Sequence, residues 1–172
     1  AIDGDRVVVG AELEDGPGNA TSESGAAYIF DLSGGVWTET AILRASNAGE
    51  DDQLGRAVAL DGDRVLLGVI GEDGPGDATL TSGAAYVFEL ADGVWSETRI
   101  LRASNAQESD RFGQSIALDG DRALIGALLE DGSGDAISES GAAYLFEFSD
   151  GAWTETTILR AIDAGENDNF GF

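Results

Sequence analysis

In a chain of 172 residues that lacks Cys, His and Lys, the side chains able to do chemistry are carboxylates. They recur in a pattern. Glu14-Asp15-Gly16-Pro17-Gly18-Asn19, Glu72-Asp73-Gly74-Pro75-Gly76-Asp77 and Glu130-Asp131-Gly132-Ser133-Gly134-Asp135 are versions of one acidic, glycine-rich segment. Carboxylates separated by glycines can fold around a hard cation, and calcium takes about six to eight oxygens in this way. On this reading Asp15, Asp73, Asp77, Asp131 and Asp135 are candidate metal ligands, and calcium is the candidate cofactor. The plainer reading is a solvated turn in an acidic protein, because the spacing matches no standard calcium loop. The same two readings apply to the acids before each Phe-Gly or Leu-Gly pair: Glu50-Asp51-Asp52, Glu108 and Asp110, Glu166 and Asp168.

Paired carboxylates also hydrolyse glycosidic bonds, which makes a carbohydrate-active enzyme one alternative. Their recurrence argues against it, since an active site is a single asymmetric constellation. No catalytic residue is assigned, and the expectation is a protein that is not an enzyme. Asp3-Gly4-Asp5-Arg6 and its copies could read a ligand; the simpler expectation is a turn whose Arg pairs with a neighbouring carboxylate. Trp37, Trp95 and Trp153 could stack sugars, but aromatics recurring once per repeat are expected to pack between repeats. Asn19-Ala20-Thr21 fits an N-glycosylation acceptor, a motif short enough to occur by chance.

The charge narrows the partners. Thirty-three acidic residues against nine basic ones give a net charge of −24, and every base is Arg. Nucleic acid is excluded, because its binders must neutralise phosphates with clustered cations. No stretch approaches the ~20 apolar residues of a membrane helix, so no membrane insertion is expected. A field of this size repels itself unless salt or bound cations relieve it, which points to a halophile or a calcium-rich exterior. An extracellular or cell-surface location is the expectation.

The elements that must position these acids come from an internal repeat. Trp37, Trp95 and Trp153 are spaced by 58 residues, and the same offset superposes Asp3, Asp61 and Asp119; Tyr28, Tyr86 and Tyr144; and Arg44, Arg102 and Arg160. Within one unit, 53–60 alternates as a strand, Asp61-Gly62 reads as the turn pair of a hairpin, and the apolar run 64–69 suits a strand buried on both faces. A long polar loop covers 71–82, a third strand 83–90, and a more polar fourth strand 94–103 after the turn at Asp92-Gly93. The fold class is therefore all-β, with a four-stranded antiparallel meander per 58-residue repeat and about three β-propeller blades in this chain. A solenoid, the competing architecture, uses shorter repeats. The expected division is a first blade at 1–52 lacking most of its first strand, full blades at 53–110 and 111–168, and the start of a further first strand at 169–172.

Phe112-Gly113, the Gly126-Ala127 pair and the turn between them resemble the FG-GAP repeat of integrin α-subunit propellers. Gly-Ala-Ala-Tyr-x-Phe followed by Gly-x-Trp-Thr/Ser-Glu resembles its prokaryotic surface-protein variant. Leu54 replaces one Phe, and Glu12, Ile70 and Leu128 stand where the family has Pro. In the integrin form the first hairpin carries a calcium loop; here it is shortened to Asp61-Gly62-Asp63, so that site is not carried over. The resemblance implies an extracellular interaction or structural module with a protein or glycan ligand, or a calcium-dependent adhesin. Because Ala1 falls inside a repeat, the chain is expected to be a segment of a longer or processed polypeptide. Its last residues, Asn169-Phe170-Gly171-Phe172, are expected to complete the first blade of another copy head to tail, in a two-chain ring of six blades or an open fibre.

Overall fold

The computed structural model describes residues 1–172. Twelve strands form three antiparallel sheets of four, each a meander in sequence order. The first sheet contains β1 (Ile2–Asp3), β2 (Arg6–Ala11), β3 (Ala26–Ser33) and β4 (Val36–Leu43). The second contains β5 (Val58–Asp61), β6 (Arg64–Val69), β7 (Ala84–Ala91) and β8 (Val94–Leu101), and the third β9 (Phe112–Asp119), β10 (Arg122–Ala127), β11 (Ala142–Ser149) and β12 (Ala152–Leu159). These are three propeller blades side by side, and one chain closes no ring.

Turn chemistry sets the registers. Asp92-Gly93 and Asp150-Gly151 both take positive φ, as does Gly34-Gly35, which is what a type I′ turn between third and fourth strands demands. The first hairpin differs from its expected form. Asp61 pairs with Arg64, so the turn residues are Gly62 and Asp63, and only Gly62 has positive φ. A single glycine suffices for a type II′ turn. Both flanking aspartates are thereby left free to bond elsewhere.

The core lies between sheets. From β6, Val65 and Leu67 join Tyr86 and Phe88 against Val8, Ala27 and Ile29 of the first blade. Leu66, alternating to the other face, joins Ala85 and Val87 against Ala123, Ile125, Tyr144 and Phe146 of the third. The central strand is thus buried on both faces, as its unbroken apolar run requires.

At the seams the first strand departs from the sequence expectation. In the second blade regular pairing begins only at Val58, not Gln53. Leu54 instead forms a parallel bridge to Gly25 of the preceding blade, as Phe112 does to Gly83 and Phe170 to Gly141. The last of these seats Phe170 on the chain's own third blade. The physical reason is glycine. A Cβ on Gly68 would sit 2.0 Å from the carbonyl oxygen of Gly113, and one on Gly83 2.1 Å from that of Phe112. Backbone touches backbone there, a contact that only a missing side chain permits.

Gly68→Ala should therefore cost about 3 kcal/mol, the upper range for overpacking. Gly62→Ala, with nothing near its Cβ but a left-handed backbone, should cost about 1 kcal/mol. Urea unfolding of the two variants checks the order.

Candidate functional site

Each long loop folds around its own glutamate. The Glu72 carboxylate is buried, and its Oε2 accepts the Gly74 N–H at 2.9 Å and Arg102 Nε at 3.1 Å. A second bond from the same guanidinium reaches Oε1, making a bidentate pair, and the hydrogen bond raises the Arg102 pKa above its ordinary value. Glu130 and Arg160 repeat the arrangement, with Asn105 Nδ2 donating to Glu130 Oε1 at 3.1 Å. In the first blade Arg44 reaches Glu14 through one nitrogen at 2.8 Å, holding that carboxyl below the usual range, while the buried Nε of Arg44 has no partner.

The aspartates expected to hold calcium staple the loops. Asp15 Oδ1 accepts the N–H of Glu23 at 3.0 Å, Asp73 that of Thr81 at 2.6 Å and Asp131 that of Glu139 at 2.8 Å. Asp77 and Asp135 lie exposed on the loop tips with positive φ. No group of three or more acidic side chains is gathered so as to hold a metal ion. Asn19 is likewise an exposed tip residue.

A second kind of acid lies deeper. Asp52 and Asp110 are buried just before the Leu-Gly and Phe-Gly pairs, accepting the N–H of Gly49 at 2.6 Å and of Gln107 at 2.8 Å. Burial pushes the Asp110 carboxyl up to about 6, and the nearby Glu130, Asp131 and Asp135 push the same way. Asp52 moves upward for the same reason beside Glu72, Asp73 and Asp77. Burial also raises the hydroxyls of Tyr86 and Tyr144, which donate to Asn47 and Asn105 across the blade seam.

The hairpin acids and arginines clamp blade to blade. Asp3 Oδ2 accepts the Gly62 N–H at 2.8 Å, and Arg6 donates to Asp63 at 3.1 Å while holding Asp31 of its own sheet at 2.8 Å. Asp61 and Arg64 do the same for Gly120 and Asp121. The Arg6 guanidinium lies 5.3 Å from the Trp95 ring centroid and that of Arg64 5.1 Å from Trp153, so those tryptophans pack between blades. The loop and hairpin acids that reach a neighbouring strand are thus bonded to this chain's own backbone and arginines.

The Glu–Arg pairing was not read from the sequence, although both residues recur at the repeat offset, 30 positions apart in each copy. The signal was available. A basic residue locked to the same phase as an acid in every copy marks a pair.

Because Glu72 is buried, Arg102→Ala should cost about 3 kcal/mol by stranding its charge. Arg56→Ala, which frees the more exposed Glu12, should cost under about 1 kcal/mol in the same urea assay. The raised Asp110 pKa works in the opposite sense from a salt-bridged acid. Its favourable, protonated state is fully present below about pH 4 and is lost as pH rises through about 6. Asp110→Asn keeps an acceptor for Gln107 and removes the charge. It should melt about 5 °C above wild type at pH 7.5 and converge with it near pH 4.

A model of the FG-GAP repeat matches residues 1–30, 37–88 and 95–146. No curated protein matches the chain. The matches end in one phase, at Phe30, Phe88 and Phe146 of the third strands, and together they cover most of the sequence. With the glycine of each Leu-Gly or Phe-Gly pair lying against Gly10, Gly68 or Gly126 of the second strands, the chain belongs to the FG-GAP repeat family.

Proposed function

We propose that this FG-GAP repeat chain is a non-catalytic interaction or structural module of the cell surface or extracellular space, built to work in high salt and to present its acidic face to a protein or glycan ligand. The observation that carries the reading is the division of labour among charges. Seven arginines, Arg6, Arg44, Arg56, Arg64, Arg102, Arg122 and Arg160, are engaged in salt bridges with the chain's own acids. Only nine bases exist, so what remains for solvent and partners is overwhelmingly carboxylate. A ligand must bring cationic groups, offer hydroxyls and amides, or arrive through bridging cations.

The non-catalytic reading is supported by repetition: Asp15, Asp73 and Asp131 do the same local work in their three blades. One observation favours a calcium-dependent adhesin as the second reading. Glu130 beside Asp110 is paired with Arg160, but the nearby Asp131 and Asp135 have no arginine partner, and their negative potential is left for a cation.

Salt should govern stability. The Debye length shrinks from ~30 Å at 0.01 M to ~3 Å at 1 M, so repulsion among surface carboxylates is screened. The melting temperature should climb steadily between these concentrations of sodium chloride, and a salt-independent value would contradict the adaptation to high salt. Calcium titrated in 2 M sodium chloride separates the two readings: heat together with a thermal shift favours the adhesin, and neither is expected for the solvated loops.

A further inference from the structure

The two seams inside the chain follow one plan but differ where strands β3 and β4 of the first blade face the β7–β8 hairpin of the second. A cavity of about 470 Å³ opens there, lined by Ile42, Leu90, Val94 and Trp95 together with Arg6 and Asp31. Ile42 and Val94 are 41% and 62% exposed, so apolar surface is offered to solvent at this point. Both walls belong to blades that are joined within the chain.

The second seam sets larger side chains at the equivalent positions. Phe148 stands there in the place of Leu90, and its ring centroid lies 5.4 Å from that of Trp153. The Arg64 guanidinium covers both rings, 4.8 Å from Phe148 and 5.1 Å from Trp153. Arg99 takes the place of Ala41, another residue lining the open cavity. In the first seam Arg6 lies over Trp95 alone, at 5.3 Å, because leucine has no π face to offer a guanidinium. The same cation and the same indole therefore share one ring fewer.

We propose that this cavity is a docking site for an aromatic side chain of a protein partner, carried on a segment with Lys or Arg beside the ring. The ring takes the position that Phe148 takes in the second seam, under Arg6 and beside Trp95. This rests on the reading of the chain as an interaction module, and the internal precedent of Phe148 selects protein over glycan. Charge selects the neighbours of the ring. In a chain of net charge −24, Asp31 lines the cavity and Asp92 is exposed next to the lining residue Gly93, so basic flanks are attracted and acidic ones repelled.

The Trp95 indole N–H resonance of the full chain tests this by 15N NMR, in 1 M sodium chloride so that non-specific attraction is screened. The probe is the peptide Ac-Arg-Phe-Arg-NH2, compared with Ac-Arg-Leu-Arg-NH2 and with methyl β-glucoside. The Phe peptide is expected to shift the Trp95 resonance saturably, to leave that of Trp153 in place, and to bind about tenfold or more tightly than the Leu peptide. Leu90→Phe installs the residue that the second seam already carries, so it should keep the wild-type circular dichroism and lose the shift. Leu90→Ala leaves the cavity open and should retain it. Retention of the shift in Leu90→Phe, its loss in a folded Leu90→Ala, or equal binding of the two peptides would overturn the proposal. A saturable shift from the glucoside alone would overturn it too, while leaving an interaction module in place. No shift from any probe would remove the cavity as a site, with the salt and calcium titrations still deciding the module reading separately.

Discussion

The close approach of backbones at the blade seam is the constraint on which the structure depends. A Leu-Gly or Phe-Gly pair from one repeat lies across two glycines of the repeat before it, and none of those glycines has room for a Cβ against the opposing carbonyl. This contact brings the hydrophobic faces together, and from it the rest follows. With blades that close, Val65 and Leu67 reach one neighbour while Leu66 reaches the other, and the tyrosines extend far enough to donate to Asn47 and Asn105. A four-stranded sheet alone offers two apolar faces and no partner for either. Stability is therefore a property of seams more than of sheets.

Charge follows the same geometry. In a protein of net charge −24 the few guanidiniums are used where they accomplish most, at seams and loop bases. Arg6 and Arg64 each hold an acid of their own sheet, an acid of the next blade and the face of an aromatic ring. Arg is suited to this because its planar cation bonds in several directions and is more weakly hydrated than an ammonium. The outward surface is left mainly to carboxylates.

Much of the fold was legible in the sequence because its causes are local and repeat. Alternation marked the strands, Asp-Gly pairs marked the turns, and the common phase of the tryptophans marked the packing of Trp95 and Trp153 between units. What was not legible depends on contacts between distant segments. Nothing near Leu54 reveals that it bridges Gly25, because that parallel contact is set by where the preceding blade ends. The turn at Gly62-Asp63 was displaced by one residue from Asp61-Gly62, since both spellings contain the same glycine. Among the acids, the composition of the loops was clear but the distribution of bonds was not. Asp73 looks like a ligand by its place in a glycine-rich acidic loop, yet one of its oxygens closes a loop onto Thr81, and only the fold shows that Asp110 lies buried beside Glu130.

That the seams hold the blades is tested most directly by removing them. A peptide of residues 53–110 keeps every strand of the second blade, both its turns and the Glu72–Arg102 pair, but loses both neighbours. If stability resides between blades, its near-ultraviolet circular dichroism will show no fixed tertiary packing and its urea curve no cooperative transition, while the whole chain unfolds sharply. A cooperative transition in the isolated blade near the midpoint of the whole chain would place the stability within the sheet and contradict the dependence on seams.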